Sequence, residues 1–178
     1  MNNSHFIRRF MTAFGVQIAV FMLLVLSALP LHAQAKEKDE RFDLFIAPLA
    51  EAVGYSREGI AYGGGAALGA GDGRFSLGFR MVYASDSESL SSFEFAFFMR
   101  YYVLSPDEHN GLFVQASGGP AALLHSSGNE DIDEIDFISF GLSVGWRFPL
   151  GNHFFFEPAL RFGYPYIYGG GISAGYRW

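Results

Sequence analysis

The stretch Ser92–Val103, SFEFAFFMRYYV, decides the fold. Successive side chains on a β-strand point to opposite faces. Phe93, Phe95, Phe97, Met99, Tyr101 and Val103 therefore share one face, and Glu94, Ala96, Phe98, Arg100 and Tyr102 share the other. The first face is apolar from end to end, while the second holds a carboxylate and a guanidinium. No helical period competes with this alternation.

The same rule runs outward in both directions. Phe75, Leu77, Phe79, Met81 and Tyr83 oppose Ser76, Gly78, Arg80 and Val82. Ile138, Phe140, Leu142, Val144, Trp146 and Phe148 oppose Ser139, Gly141, Ser143, Gly145 and Arg147. At the chain end Ile172, Ala174, Tyr176 and Trp178 oppose Gly171, Ser173, Gly175 and Arg177. Eight strands are expected, at about 42–53, 58–70, 74–84, 91–104, 111–125, 137–149, 153–164 and 166–178. Each is long for a globular strand but suits the roughly 9 to 11 residues that cross a bilayer at a tilt. The segments GDG (71–73), SPDEHN (105–110) and GN (151–152) read as compact turns. The alternate connections read as longer polar loops, notably SSGNEDIDEID (126–136), and only the link at Pro165 is short. Short periplasmic turns and longer external loops are the pattern of an outer-membrane barrel.

Alternation alone does not say which face is inside. A soluble barrel clothes its outer wall in charge. Here the only lysines are Lys36 and Lys38, before the first strand, and the polar face is mainly Gly, Ser and Ala. That face is therefore assigned to the lumen. An eight-stranded barrel is just wide enough to be filled by side chains. The polar-face charges are Asp43, Glu51, Arg74, Arg80, Glu94, Arg100, Arg147, Glu157, Arg161 and Arg177. Unpaired charge away from water is costly, so Glu94 and Glu157 are expected among Arg80, Arg100, Arg147 and Arg161, with Arg177 completing the lumen network. This reads as a polar plug, with an ion-selective pore as the alternative. On the outer face Tyr83, Tyr101, Trp146, Tyr164, Tyr176 and Trp178 stand toward strand ends, where amphipathic rings suit the headgroup level. Closure of the last strand on the first satisfies every backbone group in lipid. Pro48, Pro120 and Pro158 each remove a donor within a predicted strand, and bulges or strand ends are expected to absorb them.

The front of the chain is of another kind. Arg8 and Arg9, an apolar run, and Ala33 and Ala35 around Gln34 have the form of a secretory signal peptide spanning residues 1–35. Pro30 and the small residues favour cleavage over a membrane anchor. Residues 36–41 form a short charged lead and 42–178 the barrel domain. The chain has no cysteine and a formal charge of −6, which removal of Arg8 and Arg9 makes more negative. A disulfide framework and a basic nucleic-acid footprint are both excluded.

The chain thus resembles the small eight-stranded outer-membrane proteins of the OmpA, OmpX and OmpW-like group over residues 41–178. The most specific part of the likeness is the last strand, where Ile172, Ala174, Tyr176 and Trp178 are similar to the assembly signal of such barrels, although Ala174 is small for its position. The resemblance implies recognition by the barrel-assembly machinery and residence among outer-membrane lipid. The group spans anchors, adhesins, narrow channels and a few lipid-modifying enzymes.

Candidate chemistry is sparse. Gly63, Gly65 and Gly69 lack the spacing, the following helix and the acidic residue of a dinucleotide loop, and read as lumen-facing glycines. His125 and Ser127 weakly resemble the His–Ser pair of lipid A deacylases, but Gly128 replaces the Asn of that motif and the pair faces lumen or loop. His109 and His153 sit at turns, and the histidines show no metal spacing. Glu130, Asp131, Asp133, Glu134 and Asp136 form an acidic external loop whose order does not fit an EF-hand, so a solvated rim is expected. The expectation is an all-β outer-membrane barrel with a structural or adhesin-like role. It has no catalytic residues, metal or cofactor, its lipid is that of the outer membrane, and an external protein or small molecule is its conceivable ligand. A narrow conduit for ions or small apolar solutes is the alternative, and a lipid-modifying enzyme the third reading.

Overall fold

The computed structural model describes residues 43–55, 59–86, 90–104, 110–127 and 131–178, with backbone alone over 125–127 and 131–137. The signal-peptide reading of residues 1–35, the lead at 36–41, His109 and Glu130 lie outside the described residues. The strands are β1 Asp43–Tyr55, β2 Gly59–Asp72, β3 Phe75–Ser85, β4 Leu90–Leu104, β5 Gly111–Ser127, β6 Asp131–Leu150, β7 Phe154–Tyr164 and β8 Tyr166–Arg177. Each pairs antiparallel with its chain neighbours and β8 pairs with β1, which closes the sheet into a barrel with no helix among the described residues. Closure leaves no sheet edge to be satisfied by solvent.

The pleat sorts the side chains as the alternation requires. On β6 Ile138, Phe140, Leu142, Val144, Trp146 and Phe148 are all exposed, Ile138 to 74%, whereas Ser139, Ser143 and Arg147 are buried. The outer wall is apolar around the whole circumference, and Arg80, Glu94, Arg100, Arg147, Glu157 and Arg161 are buried inside. Soluble monomers rarely leave so continuous an apolar surface exposed.

The three strand prolines are accommodated without the expected bulges. The β1–β8 ladder omits Pro48 between Ile46↔Tyr176 and Leu49↔Ser173, and the β4–β5 ladder omits Pro120 between Glu94↔Ala121 and Phe97↔Gly118. The β6–β7 ladder omits Pro158 between Gly145↔Ala159 and Phe148↔Phe156. Register is unchanged across each gap, and each proline keeps its partner on the other side, Ala66, Ile138 and Ile172 respectively. The missing donor thus interrupts one ladder locally. Register shifts occur elsewhere, at Gly54/Tyr55 and Tyr102/Leu104.

The expected contrast between short turns and long loops needs correction. The rim that holds the chain ends has the two-residue turn Gly73–Arg74, with Gly73 at φ 56°, but also the longest link, 105–110. On the opposite rim β3 and β4 are joined through 86–89, and β7 and β8 by Pro165 alone. The segment read as an acidic loop is mostly strand: Asp131, Asp133, Glu134 and Asp136 lie on β6, with His125↔Asp133 and Ser127↔Asp131 in register. Pairing of β6 with β7 begins only at Phe140↔Tyr164, so 131–139 runs beyond β7 paired to β5 alone, and β5 stays paired to β4 as far as His125. Backbone pairing carries this extension, and a strand past the apolar wall needs no greasy face.

Candidate functional site

The lumen holds two tiers of ion pairs. In the tier nearer the chain ends, Glu157 on β7 accepts from Arg100 on β4 at 2.6 and 3.3 Å, from Ser173 on β8 at 3.2 Å, and from Nε of Arg147 on β6. Arg100 also donates to the Gln115 carbonyl oxygen at 3.0 and 3.1 Å and to the Tyr102 hydroxyl at 3.2 Å. In the second tier, Arg161 on β7 grips Glu94 on β4 with Nη2 at 2.7 and 2.9 Å and reaches Glu51 on β1 with Nη1 at 3.1 Å. Arg80 on β3 donates to the other Glu51 oxygen at 2.5 Å, and Ser139 donates to Glu94 at 3.2 Å. Charge-assisted and bidentate bonds of this kind are the stronger class.

All seven charged groups are buried, Arg147 to 1% exposure. Burial makes each charge costly unless it is compensated, and compensation comes from side chains of other strands around the bore. The tier near the chain ends has two guanidiniums for one carboxylate, and aromatic faces offset part of that excess. The Arg100 guanidinium lies 4.0 Å from the Phe113 ring centre, and Arg147 lies 3.9 and 4.6 Å from those of Phe155 and Phe45. A ring's negative face attracts a cation, most strongly where water is excluded. Phe45 also packs against Phe98 and edge-on against Phe155, forming an apolar layer with Ala47 on that side of the tier. Val53, Ala61, Ala84 and Tyr166 form a second apolar layer toward the other rim.

Arg80, Glu94, Arg100, Arg147, Glu157 and Arg161 therefore meet as expected, and Arg177 does not join them. Arg177 stands at the rim 3.7 Å from Asp43, both about one-fifth exposed, and donates to the Asn152 carbonyl. It is too near the chain end to reach the network. Glu51 is the central acceptor that the predicted network omitted. Its parity placed it on the polar face, but on β1 that face also carries Phe45, Ala47 and Val53, so the alternation there is weak. The partners Tyr102, Gln115, Ser139 and Ser173 were equally unmarked, since neutral residues carry no charge signal.

Gly63, Gly65 and Gly69 face the lumen, where added Cβ atoms would meet β3 backbone at 2.1 and 1.8 Å and the Phe45 ring at 2.5 Å. The backbones approach so closely there that only glycine fits. Ile172, Ala174 and Trp178 are exposed on the outer wall, and the Trp178 N–H donates to the Leu44 carbonyl at 3.0 Å, tying the last residue to β1. Tyr176 packs edge-on against Trp178 and Phe154 at 5.3 Å, and stacks on His153 at 5.4 Å. The side chains of His125 and Ser127 lie outside the described residues, and among the described residues no three His, Asp or Glu side chains converge on a metal position.

This geometry is matched by solved structures. The N-terminal β-barrel domain of Pseudomonas aeruginosa OprF superposes with a TM-score of 0.58 at 14% identity, covering 79% of this chain and 100% of that one. The chain has the fold of the small outer-membrane β-barrels. Two further barrels agree. Neisserial surface protein A gives a TM-score of 0.52 at 13% identity, covering 79% of this chain and 98% of its own. Ail, the attachment invasion locus protein of Yersinia pestis, gives 0.53 at 11% identity with coverages of 79% and 100%. No protein-family profile and no curated protein sequence matches the chain.

Proposed function

We propose that this chain is an integral protein of the bacterial outer membrane whose barrel is a closed anchor, with a structural and surface-interaction role of the adhesin-like kind. The observation that carries the reading is the filled lumen, where two ion-pair tiers and two apolar layers occupy the bore. A conduit needs a continuous polar path, and the Phe45, Phe98 and Phe155 layer interrupts one. The extension of β6 on β5 beyond β7, carrying Asp131, Asp133, Glu134 and Asp136, is the element offered to an external protein or small molecule. Its acidity favours a cationic partner over the sulfated sugar analogue bound by Ail. The outer-membrane lipid surrounds the wall, and the barrel-assembly machinery recognises Ile172, Ala174, Tyr176 and Trp178. No catalysis is assigned to the barrel.

Single-channel recording on the refolded chain in planar bilayers tests this reading. The expected trace shows no steady conductance steps; reproducible ohmic steps would make the protein a conduit. Incubation with outer-membrane lipid followed by mass analysis should leave the acyl pattern unchanged, and a shortened acyl pattern absent from His125→Ala would make it an enzyme.

A further inference from the structure

Between the two tiers lies a cavity of about 60 Å³. Its charged lining is Arg80, Arg100, Arg161, Glu51 and Glu157, and the two tiers that bound it hold Arg80, Arg100, Arg147 and Arg161 against Glu51, Glu94 and Glu157, an excess of one positive charge among the described residues that arises in the Arg100 and Arg147 tier. Three polar atoms on its lining residues are buried without a hydrogen-bond partner: Arg80 Nε, Arg161 Nε and Ser143 Oγ. Arg80 Nη2 already serves Glu51, and Arg161 Nη1 and Nη2 serve Glu51 and Glu94, while both Nε–H groups are left without a partner. A guanidinium N–H only donates, and a serine hydroxyl can donate. The unmet requirement of the two Nε–H groups is therefore one-sided, for an acceptor.

A cavity measured in this way needs about 10–15 Å³ to hold one water, so there is room for a small ion with a few waters beside it. Water would accept from the orphaned donors yet leave the excess charge buried, whereas a monatomic anion answers both costs. Glu51 and Glu157 in the wall repel a dianion, which restricts the site to monovalent ions. We propose that the cavity between the ion-pair tiers binds a single halide ion, held by Arg80 Nε, Arg161 Nε and Ser143 Oγ.

The probes are bromide in the crystal and chloride in solution. Crystals of the refolded chain soaked in sodium bromide should give an anomalous difference peak at the bromine edge, within about 3.5 Å of all three atoms. In detergent, replacing gluconate by chloride at fixed ionic strength should raise the unfolding midpoint, because a ligand of the folded state stabilises it in proportion to ln(1 + [L]/Kd). Ser143→Val, which puts a methyl in place of the hydroxyl and adds a second that takes up space, should reduce the bromide peak to background and abolish the chloride shift. Ordered water without an anomalous peak, equal midpoints in the two salts, or a Ser143→Val protein that keeps the full response would each overturn the proposal. Should that variant fail to fold, the bromide map of the unaltered chain decides the matter alone.

Discussion

Glu157→Gln is the perturbation whose effect follows most directly from the geometry. The carboxylate is 5% exposed and holds Arg100, Arg147 and Ser173 at once. Glutamine keeps the shape and one acceptor but removes the charge, so two buried guanidiniums face each other with only aromatic rings and Gln115 to offset them. Breaking a buried pair by removing one partner costs about 3–5 kcal/mol. With a slope of about 2 kcal/mol per M urea, the unfolding midpoint should fall by about 1.5–2.5 M. Arg177→Gln is the internal control, because its pair with Asp43 is longer and partly solvated, and a rim pair is worth about 0–1 kcal/mol. Adding Arg147→Met to Glu157→Gln restores the tier's original excess charge and should return about 1–3 kcal/mol of the loss as a coupling energy. The assay is urea unfolding of the chain in lipid vesicles, followed by tryptophan fluorescence. If Glu157→Gln moves the midpoint no further than Arg177→Gln does, the lumen charges are solvated and the plug is not dry.

Other outcomes follow from the same packing. Gly65→Ala would bring a Cβ to 1.8 Å from the Met81 carbonyl oxygen, so the folded, faster-migrating band of an unboiled gel sample should be lost; Gly170→Ala, whose nearest atom is Leu160 Cδ2 at 3.4 Å, should keep it. Equal behaviour of the two would refute the packing of β2 on β3. Deleting Trp178 removes the N–H that bonds to Leu44 and should lower the folded fraction on that gel, without changing the secondary structure of the fraction that folds.

Much of this architecture was legible because a barrel in lipid has one strict requirement per strand, alternation, and β3, β4, β6 and β8 meet it. The β6 start was misplaced at 137 because Asp131, Asp133, Glu134 and Asp136 look like a loop, although nothing prevents charged residues from pairing as strand beyond the wall. The ion-pair partners were visible as types and only partly as places. Parity selects the inward face but not the depth, so it could not separate Arg177 at the rim from Arg147 in the tier, nor promote Glu51 above its neighbours. Phe98 and Tyr102 had inward parity in the sequence, yet that they form part of an aromatic floor under Arg100 depends on which strands face each other across the bore.

The orientation of the wall can be read optically. Trp146 and Trp178 are the chain's two tryptophans, and both project from the outer surface. With the chain refolded into vesicles whose acyl chains are brominated near the headgroups, their emission should be strongly quenched relative to unbrominated vesicles. Emission unchanged by the brominated lipid would contradict an apolar face turned toward hydrocarbon.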